Sequence, residues 1–477
     1  MTDNIKERGN SKLALKAGLW YACANFIGKA ITFLTTPIFS RMMSVSDYGE
    51  FSNFSTWVIT LTIIFGAELY NTLNRAYYDF REQFDDYIFT VTVLGGFIIS
   101  AAYVIFLAEG SIFLKIVRIP GQFIHILFVF ILSFFFRLMY YARERVFYRY
   151  KTVAFITFIS LFIPTVISVI AVYLLPESNH LSARIYGFYI PLAIIGMFCA
   201  IPLFKKSMVF KWEYCKYALV LSIPLLVHYL MANLLTSANI MITRNKLGAE
   251  EAATISIASS ATHILTILFA STSGALTTWL MDNLNLNNVD TVRKGTLLYV
   301  KLLALITILA ILFAPDLIYL LGGKKYVVAV TFLPGLLFSI LIHSIAYVFN
   351  IILTYDKNVT NVAICTTVLS MFGVVAKIFL ITDYGIMSLI YVNIVIFGIM
   401  FSINYLLVRA AGYAKFIFLK GLLSVIVVVG VITMVSSLLF RFPNIRYLIT
   451  VLFSALCVTM LIIHQNQLKS FKQKLRK

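Results

Sequence analysis

Apolar runs of about 20 residues, the length a helix needs to cross a bilayer, recur from one end of this chain to the other. Polar backbone groups have no water to bond in hydrocarbon. A helix satisfies them within its own segment, so runs this long read as transmembrane helices and not as barrel strands. Bounded by charges or turn residues, the runs predict fourteen spans. Seven lie near 13–38, 50–73, 87–108, 122–142, 152–175, 184–204 and 217–242; seven more lie near 251–281, 295–320, 328–354, 360–382, 385–408, 417–439 and 445–464. Only 12% of the 477 residues are charged, about half the share in soluble domains, and no polar stretch exceeds a short loop. The first run is longer than a signal-peptide core and lacks a small-residue cleavage site, so it is expected to stay as a helix.

The net charge of +19 does not point to nucleic acid, because the Lys and Arg cluster between apolar runs, where they set membrane orientation. The basic clusters fall in the N-terminal tail, Arg143–Lys151, Lys205–Lys216, Arg409–Lys420 and Lys469–Lys477. With an even number of spans these lie on one side, and both termini are expected to be cytoplasmic. The segment Arg75–Asp86, where two Arg meet four acids, fits this pattern least well. Cys23, Cys199, Cys365 and Cys457 fall in apolar runs and Cys215 in the basic loop, so no disulfide framework is implied.

A short pattern repeats. Arg41, Asp47 and Gly49 follow the first span, and Arg244, Glu250 and Ala252 follow the seventh at the same spacing. Each copy opens a six-helix block, with the basic loop 205–216 between the blocks. This predicts an all-α polytopic membrane protein with two six-helix repeats around a central cavity: an N-terminal lobe 1–204, a linker 205–216, a second lobe 217–408, and two extra helices with a basic tail over 409–477.

A charge at mid-membrane costs roughly 2.5–3.5 kcal/mol on insertion scales, so a retained one needs a wet or paired setting. Helical spacing puts Tyr21, Asn25, Lys29, Thr32 and Thr36 on one stripe of the first span, and Thr60, Glu68, Asn71 and Arg75 on one stripe of the second. His228, Thr236 and Asn239 mark the seventh span; Ser256, Ser259, His263, Thr266, Ser273 and Thr277 mark the eighth. Ser and Thr ordinarily join helices in bundles. Lys29, about 24 Å from the cytoplasmic end at 1.5 Å per residue, is too deep to reach that surface easily. Arg137 and Lys301 are expected near cytoplasmic ends, and Asp316 and Lys377 near periplasmic ends, where snorkelling is the default. The candidate cavity residues are therefore Lys29, Asn25, Glu68, Arg75, Arg137, Lys301 and Lys377, with Glu68, His228 and His263 as proton-coupling candidates. Pro37, Pro164, Pro191, Pro224 and Pro334 lie within spans and are expected to kink them. There is no GxxxxGK[ST] loop and no zinc-ligand spacing, so no ATP hydrolysis, cofactor or metal is expected on this chain.

The opening segment carries a resemblance. Thr36-Pro37, Arg41-Met42-Met43-Ser44, Asp47-Tyr48-Gly49-Glu50-Phe51, Gly66-Ala67-Glu68 and Asn74-Arg75-Ala76-Tyr77 resemble the start of the Wzx-type polysaccharide-repeat flippases. Their superfamily also holds the multidrug and toxin extrusion antiporters and the peptidoglycan-precursor flippases. The resemblance covers about the first 80 residues in detail. It implies helices one, two, seven and eight around a central cavity, and a non-enzymatic, ion-coupled flippase in the bacterial inner membrane. Its cargo would be an undecaprenyl-diphosphate-linked oligosaccharide for O-antigen or capsule synthesis, with H+ or Na+ as coupling ion. Membrane lipids and other polysaccharide assembly proteins are the further partners it implies. Two alternatives stand beside it: a multidrug-type antiporter, which would want buried carboxylates, and a membrane polymerase or glycosyltransferase, which would want a large periplasmic loop.

Overall fold

The computed structural model describes residues 11–455. The main helices are α1 (Ser11–Met42), α2 (Val45–Gly66), α3 (Leu73–Asp79), α4 (Phe84–Val117), α5 (Ile124–Val146), α6 (Tyr150–Leu174), α7 (His180–Phe204) and α8 (Trp212–Lys246). They continue with α9 (Ala249–Ala261), α10 (His263–Asn285), α11 (Val289–Leu312), α12 (Ala314–Gly322), α13 (Leu333–Tyr355), α14 (Val359–Ala410) and α15 (Leu419–Leu439), followed by α16 over 443–455. No strand occurs among the described residues. Ten of the helical segments are long and apolar enough to cross a membrane. The protein is thus an all-α, multi-pass membrane protein.

Several boundaries differ from the sequence expectation, each for a local reason. The second span does not run on to residue 73: α2 stops at Gly66, because Ala67 (φ 49°) and Glu68 (φ 53°) take left-handed conformations. The eighth divides at Thr262 into α9 and α10, and the ninth at Phe313 into α11 and α12. Pro334 does not kink a helix, since it occupies the first turn of α13, where its missing N–H breaks no bond. The runs read as spans eleven and twelve are joined in α14, whose only non-helical residue is Gly385 (φ 62°). There a side chain would be strained.

The chain forms two compact units: Met1–Ser260 with Ala363–Val392, and Ala261–Val362 with Asn393–Lys477. In the first, α5 packs on α7 so closely that a Cβ at Gly196 would stand 2.3 Å from the Ser133 carbonyl oxygen. Small residues at such crossings let helix backbones approach in lipid. Aromatic rings fill the interface beside them, with Tyr189 4.8 Å from Phe130 and 5.0 Å from Phe54 between ring centroids.

One end of this unit is a polar strap. Loop 205–211 lies along the start of α4: Ser207 donates to Asp86 Oδ1 (2.6 Å), Thr90 donates to the Val209 carbonyl (3.2 Å), and Lys211 Nζ donates to Gln83 Oε1 (2.9 Å). Lys206 pairs with Asp85 at 3.6 Å and Lys211 with Asp86 at 3.7 Å. Further along, the Tyr217 hydroxyl donates to Asp79, and this bond holds the exposed Asp79 carboxyl below the ordinary carboxylate range. The acidic segment that fitted the charge pattern least well is therefore neutralised by the basic loop on the same end. Cys215 belongs to α8 and is buried, not exposed in a loop.

The opposite end of the unit is closed by helix termini. The Ser44 hydroxyl caps α2 by accepting from the Asp47 N–H (3.0 Å). A Cβ on Gly49 would stand 1.8 Å from the Ala249 carbonyl oxygen, so only glycine lets the two chain segments meet. Arg244 Nη2 pairs with Glu50 Oε1 at 2.5 Å beside that contact. The two copies of the sequence repeat thus touch each other. In the second unit, Asp316 does not snorkel freely; it pairs with the buried Arg446 of α16 at 3.0 Å and accepts from Tyr447 at 2.6 Å.

Candidate functional site

Within the first unit, α1, α2, α5, α6, α7, α8 and α9 surround a cavity of about 390 Å³. Most of its hydroxyls come from three helix faces: Thr32, Thr35 and Thr36 on α1; Tyr48, Ser52, Ser55 and Thr56 on α2; Ser256 and Ser260 on α9. Most of these hydroxyls spend their proton on a carbonyl one turn back, as Thr36 does on Thr32 (2.8 Å) and Ser52 on Tyr48 (2.8 Å). That leaves their lone pairs for other groups. The Tyr189 hydroxyl donates to Ser55 Oγ at 2.9 Å.

Two arginines line the same cavity. Arg137 on α5 is buried, with its guanidinium 4.6 Å from the Phe134 ring centre. Arg184 on α7 is buried too; it stacks 3.4 Å from the Phe39 ring and 4.4 Å from the Phe51 ring, and Nη1 donates to Ser168 Oγ at 2.8 Å. The Nε of each is buried with no hydrogen-bond partner, and neither arginine has a carboxylate counterion among the described residues. Ring faces attract a guanidinium by about 0.5–2 kcal/mol, which offsets only part of the cost of holding it away from water.

Of the residues proposed from sequence, Arg137 reaches this cavity, as do Thr32, Thr36 and Ser256 of the polar stripes. Lys29 and Asn25 lie on α1, and their side chains fall outside the described residues. Glu68 does not continue the α2 stripe, because the left-handed turn ends the helix before it. It is buried and accepts from Asn71 Nδ2 at 2.6 Å. Arg75 is exposed and pairs with Asp79 at 3.4 Å, and Lys301 is exposed on α11. Lys377 does not snorkel. It is fully buried in the first unit and donates to the Leu235 carbonyl of α8. His228 on α8 is half-buried with Nδ1 unpartnered, while His263 opens α10 in the second unit. Among the described residues no group of three or more His, Cys, Asp or Glu could hold a metal.

Sequence reasoning missed Arg184, Tyr48, Ser52, Ser55 and Thr56. The apolar run puts Arg184 at the edge of a span, yet α7 starts at His180 and carries it one turn inside. The spacing Tyr48, Ser52, Ser55, Thr56 is a helical stripe in its own right, hidden because the apolar run begins at residue 50 while the helix begins at Val45.

No protein-family model and no curated protein sequence matches the chain. Solved structures do. One described as the lipid II flippase MurJ in an inward closed conformation aligns at a TM-score of 0.70 and 14% identity, over 93% of this chain and 100% of that one. An inward-facing multidrug resistance MATE family transporter of the MOP superfamily aligns at 0.58 and 13% identity, over 80% of this chain and 95% of that one. A MOP superfamily transporter from Pyrococcus furiosus, described as having a binding pocket of reversed polarity, aligns at 0.57 and 15% identity over 83% of this chain and 96% of that one. The chain has the fold of the MOP-superfamily transporters.

Proposed function

We propose that this protein is an inner-membrane flippase that moves an undecaprenyl-diphosphate-linked oligosaccharide from the cytoplasmic to the periplasmic leaflet for surface polysaccharide assembly. The observation that carries this reading is the hydroxyl-lined cavity with buried arginines and, among the described residues, no carboxylate in its lining, inside a fold shared with a lipid II flippase. Diphosphates need cationic partners in a dry setting and sugars need hydroxyl-bearing walls. A cation exporter would want the opposite charge.

In this reading 1–204 and 217–408 are the two lobes, 205–216 links them, 409–477 adds two helices and a tail, and both termini are cytoplasmic. The chain carries no nucleotide-binding loop, so an H+ or Na+ gradient drives the uphill part of the cycle. Lys29, with Asn25 and Thr32 on its stripe, is the deepest candidate for meeting the diphosphate in the central cavity. Cells lacking the protein are expected to accumulate a lipid-linked oligosaccharide in the cytoplasmic leaflet. In proteoliposomes, flipping is expected to respond to a pH or sodium gradient and to ignore ATP, and Lys29→Ala is expected to abolish it where Lys29→Arg retains part. Unchanged leaflet distribution on deletion would overturn the flippase reading.

A further inference from the structure

Arg184 is more than nine-tenths buried, stands one turn inside α7, and holds five N–H donors, of which the structure satisfies one through Ser168. Its Nε is orphaned. The rings of Phe39 and Phe51 fix the plane of the guanidinium, and a fixed fork of donors suits an oxyanion better than a flexible ammonium does. Across the cavity the Tyr48 hydroxyl lies among those of Thr36, Ser256 and Ser260, within electrostatic reach of Arg184. The surrounding wall is apolar, with Ile31, Val58, Leu161 and Leu192. A charged group, rotatable hydroxyls and an apolar wall describe a receptor for a phosphate borne on a lipid.

We infer that Arg184, with the Tyr48–Ser260 hydroxyl cluster, forms a seat for a phosphate oxyanion carried by a lipid. The seat lies inside the first unit, near the end closed by Glu50 and Arg244. It rests on the transporter reading and adds a second anion position to it. As the head group advances toward the α2 and α9 termini, this seat would receive it. Two lipids carry the required chemistry: an isoprenoid diphosphate and an anionic phospholipid.

The full-length protein in phosphatidylcholine nanodiscs is titrated with farnesyl diphosphate, farnesol, phosphatidylglycerol and inorganic pyrophosphate, with binding read by thermal shift and native mass spectrometry. Farnesyl diphosphate is expected to bind the wild type, farnesol is not, and Arg184→Gln is expected to weaken binding about tenfold or more, as loss of a charged hydrogen bond of roughly 1.5–3 kcal/mol does. Arg184→Lys is expected to fall between. Since Arg184→Gln removes an uncompensated charge, the empty variant is expected to melt at or above the wild-type temperature. Melting well below it, with ligand binding intact, would show that Arg184 only packs helices and would overturn the seat. Arg184-dependent binding of phosphatidylglycerol at equal strength would support the seat and identify its occupant as membrane lipid. Binding that depends on Arg184 in a protein that flips nothing would remove the transport reading and leave the seat, whereas flipping intact in Arg184→Gln, with unaltered binding, would do the reverse.

Discussion

Lys377 and Arg184 are buried cations that answer the same physical demand in different ways. Arg184 spreads its charge over two aromatic faces, while Lys377 points at the Leu235 carbonyl, an acceptor that helix α8 already uses for its own hydrogen bond. A carbonyl shared in this way loses little when the ammonium leaves. Lys377→Met, similar in volume and free of charge, is therefore expected to leave thermal stability in detergent unchanged or raised; if the proposed flipping holds, it is expected to fall. A loss of more than about 1 kcal/mol of stability would make the lysine a structural pin. Its place was not legible in the sequence. Depth along a span can be counted from the nearest charge, but which neighbouring helix covers a side chain depends on residues such as Leu235, far away in the chain. Arg137 was no more legible: its place near a cytoplasmic end made snorkelling the default, yet it is buried beside the Phe134 ring.

At the scale of elements, the polar strap joins α3 and α4 to the loop before α8 and to the start of α8, each contact using at least one side chain. Asp79 contributes most above the ordinary carboxylate pKa of about 4. Its folded pKa is depressed, so the contribution fades only as pH falls through that lower value, and no change is expected between pH 6 and 8. Removing the groups is the sharper test. Asp79→Asn with Asp86→Ala is expected to speed trypsin cleavage after Lys205, Lys206 and Lys211 in the folded protein, and an unchanged rate would show that the main chain alone holds the loop. The helices were legible where apolar runs ended at charges, as at Lys205. Their ends were not legible where the left-handed turn fell on the wrong residues: Ala67 and Glu68 adopt it, while the adjacent Gly66 stays helical.

For the whole molecule, orientation is the property on which the direction of the proposed flipping depends. Cys215 is buried and cannot report it, but Met208 in the strap loop is 79% exposed, and Glu82 and Ser178 are exposed as well. In a background lacking native cysteines, Met208→Cys and Glu82→Cys are expected to react with an impermeant thiol reagent from the cytoplasmic side, and Ser178→Cys only from outside. Labelling of Met208→Cys and Ser178→Cys from one side would break the span count, and reversal of both would invert the direction of flipping.

The strap has one more consequence. Residues on both sides of the Met208–Val209 peptide bond are separately anchored to the start of α4, Ser207 through Asp86 and Val209 through Thr90, and beyond it Tyr214 donates to Gln83 at 2.5 Å. The covalent link at this point therefore adds little to what side chains already hold in register. A gene divided there, with a new start codon before the second piece, would yield two polypeptides whose shared unit still has its mating surfaces. The strap loop is thus a point at which the chain can be parted while its side chains keep the two pieces together.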